Sequence, residues 1–221
     1  MNVEIRVEDD PAPACAEVLA EASGNVVLTG GRTPVRAYEL AAELRPDWSD
    51  AELWWGDERC VPPDDERSNF GLAKRALLDR LETPPRAVHR IRGEEGVERA
   101  TTAYDEELRG VALDFVLLGI GPDGHTASLF PHAPTLRERE RRAVPAEAKL
   151  EPFVDRVTMA IPVLESAPLV VFVVAGKEKA EAVARAFVGP PDETTPASLV
   201  RSKNGRTVAI LDPEAARLLS W

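Results

Sequence analysis

Short, nearly continuous apolar runs alternate along the chain with stretches whose apolar positions recur at helical spacing. Asn25–Thr29 (NVVLT), Leu53–Gly56 (LWWG), Leu113–Ile120 (LDFVLLGI), Leu169–Ala175 (LVVFVVA) and Arg206–Leu211 (RTVAIL) read as strands. A helix is expected from Thr33, with Thr33 as its N-cap, Pro34 in the first helical position, and Val35, Tyr38 and Ala42 on the inner face. Further helices are expected over Asn69–Leu81 and Glu94–Leu108, and a short one from Pro213. Ala180, Val183, Ala184 and Phe187 fall at i, i+3, i+4 and i+7, one face of another helix. Strands apolar on both faces, separated by helices, predict an α/β fold: a mostly parallel, Rossmann-like sheet covered on both faces. Ligands of such sheets sit beyond the carboxyl ends of the strands. The charged, proline-containing stretch Pro131–Pro152 reads as an excursion over the surface.

Composition refines this picture without changing it. At 221 residues, 44% hydrophobic and 29% charged, the chain reads as one globular domain spanning 1–221. Runs such as Val170–Ala175 are far shorter than the roughly 20 residues a membrane helix needs, and no signal-peptide pattern is visible. Cys15 and Cys60 have no paired spacing, which suits a reducing compartment; a cytoplasmic location is expected. The formal net charge of −11 disfavours nucleic acid and anionic membranes as partners. An anionic small molecule is repelled as well, unless cations cluster locally.

The loops after the strands contain such cations. Gly30-Gly31-Arg32-Thr33 precedes a helix, and glycine-rich turns feeding a helix N-terminus bind phosphate; a plain tight turn has the same text. Asp57-Glu58-Arg59 follows the second strand. Arg59 offers a fork-shaped donor, and Asp57 and Glu58 can orient it or bind sugar hydroxyls. After the strongest strand comes Gly119-Ile120-Gly121-Pro122-Asp123-Gly124-His125. His125 is the natural general base, since imidazole exchanges protons near neutral pH, and Asp123 can orient it or help hold a water. Gly119, Gly121 and Gly124 also spell G-x-G-x-x-G, but a dinucleotide fingerprint needs a long helix opening at the third glycine, and Pro131 and Pro134 follow too soon. Lys177 and Lys179 sit where a helix begins, a place where cations are tolerated if an anion binds. His89 and His132 read as surface residues, Cys60 as packing. No ligand-spaced cluster suggests a metal, and no cofactor is expected.

Together these segments resemble the 6-phosphogluconolactonases, a family sharing its fold with glucosamine-6-phosphate deaminases and isomerases. The matching text is TGGRTP at 29–34, GDERCVP at 56–62 with SN at 68–69, LGIGPDGHTASLFP at 118–131, RVT at 156–158 and GKEK at 176–179. The deaminase branch typically continues its histidine with a segment like I-A-F-N-E-P; here Thr126-Ala127-Ser128-Leu129-Phe130-Pro131 follows instead. Arg32 stands where the family often has serine. The resemblance implies hydrolysis of a phosphorylated sugar lactone, with His125 and Asp123 catalytic. It implies that Gly30, Gly31, Arg32, Thr33, Asp57, Arg59, Asn69, Arg156 and Lys179 bind substrate, with Lys177 the alternative to Lys179. Competing readings are an amino-sugar-phosphate deaminase or isomerase and a non-catalytic sugar-phosphate sensor.

Overall fold

The computed structural model describes residues 3–149 and 151–219. In chain order its elements are β1 (Val3–Val7), α1 (Pro11–Ala20), β2 (Gly24–Leu28), α2 (Thr33–Leu44), β3 (Ala51–Trp55), β4 (Asp57–Arg59) and α3 (Asn69–Ala76). Next come β5 (Ala87–His89), α4 (Val97–Glu107), β6 (Phe115–Leu118), β7 (Ala143–Ala146), β8 (Arg156–Met159) and α5 (Ile161–Leu164). The chain ends with β9 (Leu169–Val174), α6 (Ala180–Phe187), β10 (Arg206–Leu211) and α7 (Pro213–Ala216).

Seven strands form one sheet in the order β1-β10-β9-β6-β2-β3-β5, and every pair in it is parallel. The strands read from the apolar runs all lie in it, and the sheet carries the expected α/β architecture. Its order reverses between β2 and β6. From β2 the chain moves to β3 and β5 on one side; from β6 it moves to β9 and β10 on the other. Right-handed crossovers therefore send α1, α2 and α3 to one face and α4 and α6 to the other. The packing agrees: α1 lies on α2, α2 on α3, and α6 on α7. Between β2 and β6 the loops diverge, and a crevice opens there. Those two strands pair only at Val26–Phe115 and Val27–Val116.

A second, three-stranded antiparallel sheet, in the order β4-β8-β7, stands beyond the end of β3. Its register sets Asp57 opposite Thr158 and Arg59 opposite Arg156. One buried cluster joins both sheets, running from Val26, Trp54 and Phe172 to Ala143, Val157 and Met159.

Several boundaries differ from the sequence reading. Thr33 is the first helical residue rather than the cap; Arg32 occupies the cap position without a side-chain bond. The helix expected over 69–81 ends at Ala76, and Leu78–Arg80 continues it only as a 3₁₀ turn. The helix expected from Glu94 is split at Gly96, whose φ of +91° divides a 3₁₀ turn from α4. Asp57–Arg59 is a strand rather than a loop. The stretch 131–152 is not merely a surface excursion: Leu136, Ala143, Val144 and Ala146 are buried, and β7 completes the second sheet. No helix among the described residues is long and apolar enough to cross a membrane.

Candidate active site

A cavity of about 510 Å³ opens where β2 and β6 diverge. Its wall is built from the loop after β2 (Thr29–Pro34), the end of β6 (Gly119–Gly121) with His125 and Ala127, the end of β9 (Val173–Ala175) with Glu178 and Lys179, and Asp57, Arg59, Asn69 and Arg156. The structure thus brings together Gly30, Gly31, Arg32, Thr33, Asp57, Arg59, Asn69, His125, Arg156 and Lys179. Asp123 stands directly behind His125. Lys177 is exposed and lies outside this wall. No multi-turn helix begins at Gly124; turns follow it, so the dinucleotide pattern is not realised.

The first wall starts where β2 ends. The Tyr38 hydroxyl, on α2, accepts from the Thr29 amide (2.9 Å) and donates to the Thr29 carbonyl (2.7 Å). This closes the backbone where the ladder stops. Gly31 then takes φ +93°, a conformation that strains any L side chain, and α2 begins immediately. No side chain caps α2, and Pro34 removes one of its donors. The remaining positive end of the helix faces the cavity.

The second wall is the turn from Gly119 to Phe130. His125 Nδ1 lies 2.5 Å from Asp123 Oδ1, and the His125 amide donates to the same oxygen at 3.2 Å. An ionised carboxylate only accepts, so Nδ1 donates and Nε2 keeps the lone pair of the neutral ring. Burial pushes the Asp123 carboxyl up, but the hydrogen bonds from the His125 ring and amide, with the charge the ring carries once protonated, outweigh it and hold the group below the ordinary carboxylate value. A Cβ at residue 121 would lie 2.0 Å from His125 Nδ1, so only glycine lets the ring rest there. Ala127 adopts φ +49°, a left-handed conformation that costs roughly 1–2 kcal/mol for a residue with a Cβ. The even-numbered side chains hold this turn from behind. Thr126 Oγ1 donates to the Gly119 carbonyl (2.8 Å), and Ser128 Oγ donates to Asp57 Oδ2 (2.6 Å). Phe130 packs under the His125 ring.

The third wall is cationic. Arg59 and Arg156 face each other across β4 and β8. Burial pulls the Arg156 guanidinium down from its ordinary value, and Arg59 adds to this, while Asp57 and Glu58 oppose it. Lys179 is half-buried; burial lowers its ammonium, and Arg32 does the same, against Glu178 and Asp123. Four cations thus rim one cavity of a chain whose net charge is −11. Such a site focuses a positive field that the bulk of the surface lacks.

Some expectations are corrected. Glu58 does not reach the cavity. Its carboxylate accepts from the amides of Arg59 (2.7 Å), Asn69 (2.8 Å) and Phe70 (2.8 Å) and from Ser68 Oγ (2.9 Å), so it holds the start of α3. Asn69 lines the wall while its Nδ2 donates to the Asp57 carbonyl and carboxylate at 2.8 and 3.1 Å. His89 is not a simple surface residue: it stacks on Trp54 at 3.8 Å and contacts Glu107 (2.6 Å) and Glu52 (3.2 Å). Cys60 is half-buried; burial, Asp155 and Glu58 push its thiol up to about 11, as suits packing. Ser128, Thr158 and Phe130 had no reading from the loops alone. The alternation of cavity-facing 125 and 127 with buried 126, 128 and 130 is the signal that picks out Ser128 and Phe130, while Thr158 meets the turn only through the fold, accepting from the Ser128 amide.

Comparison with known proteins establishes the family to which the chain belongs. The family model described as glucosamine-6-phosphate isomerases/6-phosphogluconolactonase matches residues 6–209. A 6-phosphogluconolactonase of Streptomyces coelicolor is 38% identical over 216 positions, covering 89% of this chain and 82% of that one. The human 6-phosphogluconolactonase is 37% identical, covering 94% and 85% respectively. A crystal structure of 6-phosphogluconolactonase from Thermotoga maritima superposes with a TM-score of 0.82 at 29% identity, over 96% of this chain and 99% of that one. The chain is a member of the glucosamine-6-phosphate isomerase/6-phosphogluconolactonase family.

Proposed function

We propose that this protein hydrolyses 6-phospho-D-glucono-1,5-lactone to 6-phosphogluconate, the lactone-opening step of the oxidative pentose phosphate pathway. The observation that carries the reading is the Asp123–His125 pair, 2.5 Å apart, beside an uncapped helix N-terminus in a cavity rimmed by four cations. The names of the relatives, and the Thr126–Pro131 text after the histidine, support lactone hydrolysis over amino-sugar deamination. In this reading the whole chain, 1–221, acts as one cytoplasmic catalytic domain.

The chemistry needs little beyond these groups. The phosphate rests on the amides of Gly30, Gly31, Arg32 and Thr33, with Lys179 and Arg59 neutralising it. Asp57 and Asn69 meet sugar hydroxyls. His125 Nε2 takes a proton from water as that water attacks the lactone carbonyl. The imidazolium then returns the proton to the departing ring oxygen, opening the ring to a carboxylic acid, which gives up its own proton to water and leaves as the carboxylate. Asp123 stabilises the imidazolium between the two transfers. Arg156 meets charge developing at the carbonyl and then the product carboxylate. A lactone is already reactive, so neither a covalent nucleophile nor a metal is required. Among the described residues no group of three or more His, Cys, Asp or Glu is placed to hold a metal ion.

The test is direct. His125→Ala is expected to lower kcat by roughly 10²–10⁴-fold with KM little changed, once spontaneous hydrolysis is subtracted. Ammonia release from glucosamine 6-phosphate, assayed in parallel, is expected to be absent. A near-normal corrected kcat in His125→Ala removes histidine as the base.

A further inference from the structure

The strongest observation that the reaction scheme leaves unused is Phe130. Its ring is buried, at 1% exposure, and does not line the cavity. It nevertheless touches two groups that do. Its centroid lies 4.8 Å from that of the His125 ring, with the planes tilted by 38°. The Arg156 guanidinium carbon lies 5.5 Å from the same centroid, within the range of a cation–π contact. His125 belongs to the turn after β6, whereas Arg156 begins β8 in the other sheet. No direct hydrogen bond joins these two side chains.

We propose that Phe130 is a positioning residue, an aromatic platform that fixes the general base and Arg156 relative to one another across the two sheets. The inference rests on the hydrolytic reading of the site and adds to it how the two reacting-end groups are aligned. The physical reason is geometric. The base must meet a water on one side of the lactone carbonyl while the guanidinium meets the oxygen. Their separation must hold to a fraction of an ångström, because a misplacement of about 1 Å costs roughly 10²-fold in rate. His125 is tied to Asp123 through one ring nitrogen only, so the ring can still pivot about that bond. A flat, buried surface beneath it removes this freedom. Phe130 can do so rigidly, since Leu129 and Pro131 flank it and Ser128 anchors the turn to Asp57.

The test is a double-mutant cycle on the full-length protein. Phe130→Leu is expected to lower kcat by roughly 10- to 100-fold while KM stays within about threefold, because the phosphate cradle is untouched. Placed on His125→Ala, the same change is expected to add much less than it does alone, since there is no longer a base to misplace. Phe115→Leu, at the far end of β6, serves as the control for a buried phenylalanine: stability falls and kcat does not. If Phe130→Leu does not fold, Phe130→Met replaces it with similar bulk and no ring. A normal kcat in the folded Phe130 variant, or losses that multiply fully in the double variant, overturns the inference. His125→Ala measured alone separates this outcome from failure of the hydrolytic reading, which would show as retained corrected activity in that single variant.

Discussion

Helices α2 and α3 both begin at the wall of the same cavity, yet their N-termini are treated in opposite ways. At α3 the chain supplies its own anion. Glu58 accepts three hydrogen bonds there, from Ser68 Oγ and the Asn69 and Phe70 amides, and Ser68 Oγ accepts from the Gly71 amide at 3.0 Å. At α2 nothing of the kind occurs: Arg32 sits at the cap without a side-chain bond, and Gly31 turns the backbone toward the cavity. Every helix N-terminus presents donors and partial positive charge. Where a side chain answers them, the helix is structure; where none does and the end faces a cavity, it is a receptor. The contrast is sharpened by composition. A chain with 38 acidic residues had carboxylates to spare, and none is placed in the first turn of α2.

The largest effect is expected at the closed end. Glu58→Gln exchanges an acceptor oxygen for an NH₂ group that faces amide donors. The two donors that shared the replaced oxygen then lose their partner at about 1–3 kcal/mol each, so a total loss of about 3 kcal/mol is expected. For a chain of this size that lowers Tm by about 6–12 °C. Thermal unfolding followed by circular dichroism measures it. A Tm within a degree of the parent would mean that Glu58 does not satisfy α3, and the comparison would break.

A ligand should act at the open end only. Inorganic phosphate at about 100 times its Kd is expected to stabilise the protein by about 2.7 kcal/mol, several degrees in Tm. Lys179→Ala is expected to shrink that rise and to raise KM for the phosphorylated lactone by roughly 10-fold, with kcat nearly unchanged. Lys177→Ala, on an exposed residue away from the wall, changes neither. Equal effects of the two lysines, or a full phosphate response in Lys179→Ala, would move the phosphate away from this wall.

What could be read from the sequence follows from where its physics is local. The central strands were legible because burial on both faces leaves an apolar run, as in Phe115–Leu118. The edge strands were not. β1 alternates as Val-Glu-Ile-Arg-Val, and β5 has three residues, one of them an exposed valine. β4 was hidden for a different reason: Asp-Glu-Arg looks like a solvated loop, and only its pairing with residues a hundred positions later makes it a strand. The site divides along the same line. Gly30–Thr33 and Asp123–His125 are contiguous, so their chemistry shows in the text. The bond from Ser128 to Asp57 spans 71 positions, and Phe130 meets Arg156 only after two sheets have assembled. The start of α2 is misplaced by one residue at Thr33 and the end of α3 by about a turn at Ala76, where the chain goes over to a 3₁₀ turn.

The smallest effect tests whether the open end is held from behind. Tyr38 and Tyr104 make the same contact on neighbouring strands. Each hydroxyl accepts from the amide and donates to the carbonyl of one residue at a strand's end, Thr29 just after β2 for Tyr38 and Trp55 closing β3 for Tyr104, at 2.7–3.0 Å. Burial pushes both phenols far above their ordinary range, so each keeps the proton it donates. Removing either hydroxyl leaves buried backbone groups without a partner, and a similar loss of about 1–2 kcal/mol is expected from each. The consequences for binding should differ. Thr29 runs straight into Gly30 and the uncapped start of α2, and among the described residues its backbone amide and carbonyl bond to the tyrosine. The segment after Trp55 is fixed a second time, because β4 pairs with β8. Tyr38→Phe is therefore expected to raise KM about threefold and Tyr104→Phe to leave it unchanged, at matched loss of stability. Steady-state kinetics of both variants beside their melting curves decides the point. Equal KM shifts would show that the cradle responds to global stability alone, and that the tyrosine behind it has no particular hold on the ligand end.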